Sequence, residues 1–424
     1  MFTIVTGAQF GDEGKGKIVD LLAEHYDYVV RFQGGNNAGH TVKVGDLTIK
    51  LHIIPSGVLS GAKLLIEPGV VLDPLILEQE LKGLREMGIV IGEDRLGVDL
   101  KTSVIMPYHI KLDELAEHMR KHRIGTTKRG IGYAYMDKVA RDEITVADII
   151  SRERFDEKIR EIIPRKETLL RGMGADDDDI EQAFNFDEVL RAGNELKTFV
   201  TDVSLQVNMA LREERSVLAE GAQGTHLDVL HGTQKYVTSS STIAGSSCAS
   251  LGVGPRLVDE VLGVVKAYIT RVGEGPLPTE LNTKEGEHLQ KMGGEFGTTT
   301  GRPRRCGWFD VPLVRKSIWL NGYTSLALTK LDVLTGLDPI LICTAYELDD
   351  KRIDYPPTLT SDLARCKPIY EVFPGWDEEL YTFDDYSELP EEARKYVSVL
   401  ENLLKVSFSM VSVGPERNMT FFIH

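Results

Sequence analysis

Short runs of β-branched and aliphatic residues recur along the chain, and between them lie stretches whose apolar positions fall at helical spacing. Thr3-Ile4-Val5-Thr6, Tyr28-Val29-Val30-Arg31-Phe32, Leu64-Leu65-Ile66, Val70-Val71-Leu72, Ser216-Val217-Leu218-Ala219 and Ser325-Leu326-Ala327-Leu328 read as strands. Runs this short and this apolar suit a parallel sheet covered on both faces. Ile18, Leu21 and Leu22 predict a helix after the first strand, and Leu75, Leu77, Leu81 and Leu84 predict another over 74–87. Further helices are expected over about 109–121, 256–271 and 390–405. The one over 256–271 rests on Val258, Val261, Leu262, Val265, Tyr268 and Ile269 falling on one side. Residues 43–53 alternate around Gly45-Asp46 as a hairpin, and Leu341 to Tyr346 with the turn near Asp349-Asp350 as a later one. A last strand ends in Ser412-Val413-Gly414-Pro415. The whole reads as an α/β fold: a large, mostly parallel central sheet with flanking helices. Residues 145–213 are expected to form a mainly helical subdomain within a single domain over 1–424. The acidic run Asp176–Asp179 there is a solvated helix start.

Between the first strand and the first helix lies Gly11-Asp12-Glu13-Gly14-Lys15-Gly16-Lys17. A glycine-rich turn in that position aims backbone N–H groups and a helix N-terminus at one spot, which is an anion site. Lys15 and Lys17 add positive charge. The spacing fits the phosphate-loop pattern G-x-x-x-x-G-K, but Ile18 stands where the pattern has a magnesium-binding hydroxyl. Asp12 is the carboxylate at hand for that ion. The second strand runs into Gly34-Gly35-Asn36-Asn37-Ala38-Gly39-His40-Thr41. In a parallel sheet both loops emerge at the carboxyl edge, where ligands bind, so His40 is expected near Asp12. His109 and His118 are expected at the surface.

Three later loops carry further chemistry. Arg123 to Tyr135 combines glycines, hydroxyls and cations, with Lys138 and Arg141 close behind, and suggests a phosphate contact. Gly297-Thr298-Thr299-Thr300-Gly301-Arg302-Pro303-Arg304-Arg305 suggests a lid that captures a carboxylate or phosphate. Thr329-Lys330-Leu331-Asp332 ends a strand and reads like the guanine selector N-K-x-D with Thr for Asn. Its Asp would accept from guanine's ring N–H and amine, while the Lys stem lies over the base. Glu220 to Thr225 and the hydroxyl-rich run Thr238 to Ser247 are further candidates for a polar ligand.

Composition narrows the partners. Among 424 residues, 42% are hydrophobic and 27% charged, which is ordinary for a soluble globular chain. The net charge of −16 argues against nucleic acid and anionic membranes. The first strand begins at the N-terminus, so no signal peptide is expected, and no apolar run approaches membrane-spanning length. Cys248, Cys306, Cys343 and Cys366 form no C-x-x-C pair, so free thiols in a reducing, cytoplasmic compartment are expected. No Cys/His spacing suits a structural zinc.

In order along the chain, these motifs resemble the adenylosuccinate synthetase family. The resemblance rests on Gly11–Lys17, Asn37-Ala38-Gly39-His40-Thr41, Ile124-Gly125-Thr126-Thr127, Asp137-Lys138-Val139-Ala140-Arg141, Glu220–Thr225, Tyr236-Val237-Thr238-Ser239-Ser240, Thr299-Thr300-Gly301-Arg302 and Thr329–Asp332, and runs from Gly7 to Pro415. It implies a GTP- and Mg2+-dependent ligase of AMP synthesis that makes adenylosuccinate from IMP and L-aspartate through 6-phosphoryl-IMP. By the same resemblance, Asp12 takes the N1 proton of IMP and binds magnesium with the Gly39 carbonyl. His40 assists γ-phosphoryl transfer. GTP would lie along Gly11–Lys17, Gly39–Thr41, Arg304, Lys330–Asp332 and Ser412-Val413-Gly414. IMP would contact Asp12, Glu13, Gly14, Lys15, Asn37, Ala38, Gly39, His40, Thr127, Gln223, Thr238 and Arg302, with Arg141 supplied by the second subunit of a homodimer. Aspartate would meet the loop Thr298, Thr299, Thr300, Gly301, Arg302, Pro303, Arg304.

The chain departs from the family pattern at Lys128, where Gly is expected, at Tyr133, where Pro is expected, at Asn36, and at Pro303, which interrupts an arginine run. A GTP-hydrolysing switch and a catalytically silent purine-nucleotide binder are the alternatives. The IMP-like motifs argue against the first, and the presence of Asp12, Lys17 and His40 against the second.

Overall fold

Most of the apolar runs assemble into one sheet because each is buried on both faces, whereas Val71–Leu72 pairs with Ser103–Val104 outside it. The computed structural model describes residues 1–45, 47–296, 301 and 303–423. Ten strands form the central sheet: β1 (Phe2–Gly7), β2 (Tyr28–Arg31), β3 (Lys63–Ile66), β4 (Leu96–Asp99), β5 (Val200–Thr201), β6 (Val217–Glu220), β7 (Glu260–Lys266), β8 (Ser325–Thr329), β9 (Phe408–Ser412) and β10 (Thr420–Phe422). Their order is β10-β9-β8-β7-β1-β6-β2-β3-β4-β5. Every neighbouring pair is parallel except β9/β10. β1 is flanked by β6 and β7, so the chain crosses to the other half of the sheet beside it. In an open parallel sheet this crossing point opens a crevice at the carboxyl ends of the strands.

Two large apolar clusters cover the faces. One includes Phe2, Ile4, Phe32, Val217, Leu326 and Tyr396; the other includes Val5, Ile18, Leu64, Leu218, Leu262 and Phe155. Alternate residues of β1 thus serve opposite clusters, as the period of two requires. Helices occupy Lys15–Leu22, Pro74–Glu86, Pro107–Met119 and Glu391–Leu404, close to the expected positions. Helices also occupy Val146–Ile149, Arg152–Gly172, Asp177–Ala183, Asp187–Leu196 and Val203–Arg212. Asp176 caps the third of these by accepting from Asp179 N–H. The hairpin His40–Val44/Leu47–Leu51 and the late hairpin Ile340–Leu348/Lys351–Ile353 form as predicted.

Three expectations are corrected. Residues 256–271 are not a helix: Glu260–Lys266 is the central strand β7, and Ile269–Arg271 pairs antiparallel with Arg305–Gly307. The i, i+3, i+4 coincidence hid a continuous Val-Leu-Gly-Val-Val run, which a doubly covered strand also produces. Gly263 belongs to that packing, since a Cβ there would lie 2.6–2.8 Å from Leu326 and Tyr323. His109 is buried rather than at the surface: its Nδ1 accepts from Met106 N–H at 2.9 Å and its Nε2 lies 2.9 Å from Asp137. His118 is exposed. The strand ending at Ser412 is not the last, because β10 follows and pairs with it.

Candidate active site

Glycine sets the first loop. Gly11 and Gly14 have φ of 85° and 86°, and Asp12 between them has φ of 59°. A non-glycine residue in this left-handed region is uncommon and clusters at functional sites. Gln223, after β6, and Lys330, after β8, share that conformation with φ of 59°. Gly16 is needed for a different reason: a Cβ there would stand 2.9 Å from the His40 Cβ. The phosphate-loop helix and the histidine therefore touch because one of them has no side chain. Thr329 Oγ1, at the end of β8, donates to Glu13 O at 2.6 Å and ties this loop to the Thr329–Asp332 turn.

These loops enclose a cavity of about 840 Å3, within the range of small-molecule sites. Gly11, Asp12, Gly14, Lys15, Gly16, Lys17, Asn37, Ala38, Gly39, His40 and Thr41 line it from the N-terminal side. Thr127, Gln223, Thr238, Arg304, Lys330, Asp332, Ser412 and Gly414 line it from elsewhere. Glu13, Leu331 and Val413 are buried behind the wall. Arg141 does not line the cavity; it is exposed at the end of the helix Ile131–Ala140. Gly301 and Pro303 are exposed. Gly297, Thr298, Thr299, Thr300 and Arg302 lie outside the described residues.

The polar groups are held by one another. Gln223 Nε2 donates to Asn37 Oδ1 at 3.1 Å, and Asn37 Nδ2 to Thr238 Oγ1 at 3.4 Å. His40 Nδ1 lies 2.5 Å from Glu220 Oε1 and 3.1 Å from Ser56 Oγ. Ser56 in turn donates to Glu220 through its N–H at 2.8 Å and its hydroxyl at 2.5 Å. Burial alone would raise the Glu220 carboxyl, but His40, Arg31 and Ser56 outweigh it and hold it below the usual range. The fully buried Arg31 donates to the carbonyls of His52 and Ile53 at 2.5 and 3.4 Å.

Lys15 and Lys17, the cations of the glycine loop, each take a different partner. Lys15 Nζ donates to Glu13 Oε2 at 2.6 Å. Lys17 reaches the last turn instead, donating to Ser412 Oγ and Gly414 O at 2.7 Å and Met419 O at 3.1 Å. Burial pulls its ammonium down to about 7, with Asp332 and Glu416 countering. The cation at Asp12 is Arg304, 2.9 Å away. In the second loop, Arg129 donates to Asn36 O at 2.6 Å and Lys138 pairs with Glu143 at 3.0 Å. Lys128 has φ of 55°, a conformation that a glycine would adopt without strain.

Asp332 presents a different feature. Its Oδ1 is buried and finds no hydrogen-bond partner among the described residues. Burial raises this carboxyl, offset by its own backbone N–H and by Lys330 and Lys17. A buried carboxylate oxygen without a donor, facing a cavity, suits a ligand that brings N–H groups.

Sequence reasoning missed the supporting charges. Glu220 opens the Glu220–Thr225 motif, and a carboxylate closing the apolar run Val217-Leu218-Ala219 is a usable signal. Arg31, Ser56, Lys266 and Glu295 gave none, because their partners are distant in the chain.

Comparison with known proteins bears on the family. The adenylosuccinate synthetase family profile matches residues 4–421. Adenylosuccinate synthetase 2 of Methanosarcina acetivorans is 60% identical over 421 residues, covering 99% of each chain. The adenylosuccinate synthetase of Clostridium botulinum is 49% identical over 99% of this chain and 98% of its own. The fully ligated adenylosuccinate synthetase of Plasmodium falciparum superposes with a TM-score of 0.92 at 36% identity, covering 100% of this chain and 99% of that one. With almost its whole length matched, this chain belongs to the adenylosuccinate synthetase family.

Proposed function

We propose that the cavity carries out the family's reaction, GTP-dependent ligation of IMP and L-aspartate to adenylosuccinate, with the following division of labour. The amide-like 6-oxygen of IMP is a poor leaving group for an amine. Asp12 takes the proton from N1, which makes that oxygen nucleophilic, and the γ-phosphoryl group of GTP transfers to it. The products of this step are GDP and 6-phosphoryl-IMP. The amine of aspartate then attacks C6 and inorganic phosphate leaves. Phosphoryl transfer needs in-line positioning and charge neutralisation more than covalent chemistry. His40 serves at the transferring group, and Glu220 with Ser56 fixes its ring so that Nε2 is left for the substrate.

Thr127, Gln223, Thr238, Asn37 and Arg302 hold IMP, and the loop 298–304 holds aspartate. Asp332 and Lys330, with Ser412–Gly414, take guanine. The observation that carries this reading is the unpartnered buried Asp332 oxygen in the same cavity as the glycine loop and the His40–Glu220 pair.

Asp12 and the Gly39 carbonyl suit magnesium, since both line the cavity and this ion is usually held by one or two carboxylates together with phosphates and waters. When bound there it would neutralise phosphate charge. A homodimer in which Arg141 reaches the neighbouring IMP phosphate is supported by its exposure beside Met136 and Val139, 44% and 82% exposed on the same helix. Four free cysteines and the absence, among the described residues, of any helix long and apolar enough to cross a membrane are consistent with a cytoplasmic enzyme.

The test is phosphate release and product identity with GTP and magnesium, omitting IMP or aspartate in turn. Adenylosuccinate and phosphate should form only with all three substrates. Phosphate released from GTP alone, without adenylosuccinate, would overturn the reading in favour of a switch.

A further inference from the structure

A buried carboxylate behind the cavity wall joins three cations that belong to different parts of the site. Glu295 follows the helix Lys284–Met292 and is fully buried. Its Oε1 receives Lys266 Nζ at 3.0 Å and Lys330 Nζ at 2.7 Å, together with the Tyr268 hydroxyl. Its Oε2 receives Arg304 Nη1 at 2.7 Å. Arg304 Nε is in turn 2.9 Å from Asp12 Oδ2. The chain Lys330–Glu295–Arg304–Asp12 therefore runs unbroken from the Thr329–Asp332 turn to the glycine loop. Backbone contacts reinforce it: Arg304 N–H donates to Glu295 O at 2.9 Å, and Phe296 bridges Pro303. Glu295 and Arg304 are thus held together through both backbone and side chain.

Three cations around one carboxylate are stable together only because that carboxylate is ionised. Burial would raise Glu295, but Lys266, Lys330 and Arg304 outweigh it and hold it well below the usual range. Lys266 is itself fully buried, with Glu295 as its principal counter-charge. Removing the charge would leave three like charges facing one another in a poorly solvated space. The least buried of them, Lys330, lines the cavity and is also held by Gly293 O at 2.7 Å.

We propose that Glu295 is a positioning residue that couples the Thr329–Asp332 turn to Arg304 and, through it, to Asp12, so that GTP and aspartate are bound interdependently. This rests on the substrate assignment above. A carboxylate that only supported the fold would affect all three substrates alike.

The test compares Glu295→Gln with Glu295→Asp in the full-length protein. Glu295→Gln should raise KM for both GTP and aspartate by about tenfold or more, with the IMP Kd within about threefold of wild type. Glu295→Asp, which keeps the charge, should recover most of the loss. The coupling itself is read from Lys330→Gln, Arg304→Gln and the double variant, which leave Glu295 in place should its own variants not fold. Their effects on the aspartate KM should be non-additive by at least about threefold. Additive effects, or a Glu295→Gln variant in which the IMP Kd shifts as far as the other two constants, would overturn the proposal. Wild-type protein that makes no adenylosuccinate would instead remove the substrate assignment, which separates the two failures.

Discussion

Replacing Glu220 by Gln asks whether His40 needs a charged partner or merely a filled space. The carboxylate is fully buried, lies 2.5 Å from His40 Nδ1 and accepts two hydrogen bonds from Ser56. Gln has the same shape but no charge, and its amide nitrogen would face either the Ser56 donors or the imidazole. A hydrogen bond to a charged partner is worth about 1.5–3 kcal/mol. If His40 gains positive character as the γ-phosphoryl group moves, that loss falls on the transition state. At about 1.4 kcal/mol per tenfold, kcat should drop roughly 10- to 150-fold. IMP and GTP affinities should stay within about threefold, because Glu220 is behind His40 and not in the cavity wall. Steady-state kinetics with each substrate varied gives both quantities, and thermal unfolding checks that Arg31 has not been left to destabilise the fold. A folded Glu220→Gln enzyme with kcat within about threefold of wild type would refute the argument and leave Glu220 as packing.

Other expectations follow from the same geometry. Asp12→Asn should reduce turnover at least ~100-fold with IMP binding nearly intact, and near-normal turnover would remove its role as base. Asp332→Asn should raise the GTP KM about tenfold or more and narrow discrimination among GTP, ITP and XTP; unchanged discrimination would sink the guanine assignment. Lys17, drawn down to about 7 by burial, loses its charge in the free protein as pH rises through that value. Nucleotide phosphate favours the charged form, so GTP binding at about pH 8 should take up a proton, and affinity should fall as pH rises. Calorimetry in buffers of different ionisation heat measures the uptake, and Lys17→Gln should abolish it. Asp310, raised by burial from 3.8 to about 7 despite its bonds to Tyr346 and Leu313, holds a proton that the unfolded chain has already released. Stability should therefore fall between those two values by on the order of a few kcal/mol and level off above. Asp310→Asn should flatten that portion of the denaturation profile, and an unchanged slope would exclude Asp310 as its origin.

The parts of the site visible in the sequence were those encoded locally. The Gly11–Lys17 turn, the Asn37–His40 loop and the Thr329–Asp332 turn each sit directly after a short apolar run, so strand ends and chemistry were read together. β7 was misread because Val261, Leu262 and Val265 satisfy a helical period as well as a buried strand, and only the partner strands distinguish the two. The ion pairs were illegible for another reason. Asp12 meets Arg304, His40 meets Glu220, and Glu295 meets Lys330, and nothing in local composition announces a partner that lies beyond several intervening elements. His109 shows the same blindness, since its burial is decided by Asp137 on another helix.

The placement of β1 also bears on how the chain comes to exist. Its neighbours are β6 and β7, so Phe2 pairs with Val217 and Thr3 with Glu260. During synthesis the first strand therefore waits, with both edges open, until the ribosome has made more than half of the protein. Contacts this distant slow folding and expose sticky edges in the meantime. The glycine turn that follows β1 is among the first segments made, yet it acquires its surroundings among the last. A nascent or truncated chain ending before β7 would carry the most recognisable motif of the family and have no site to put it in.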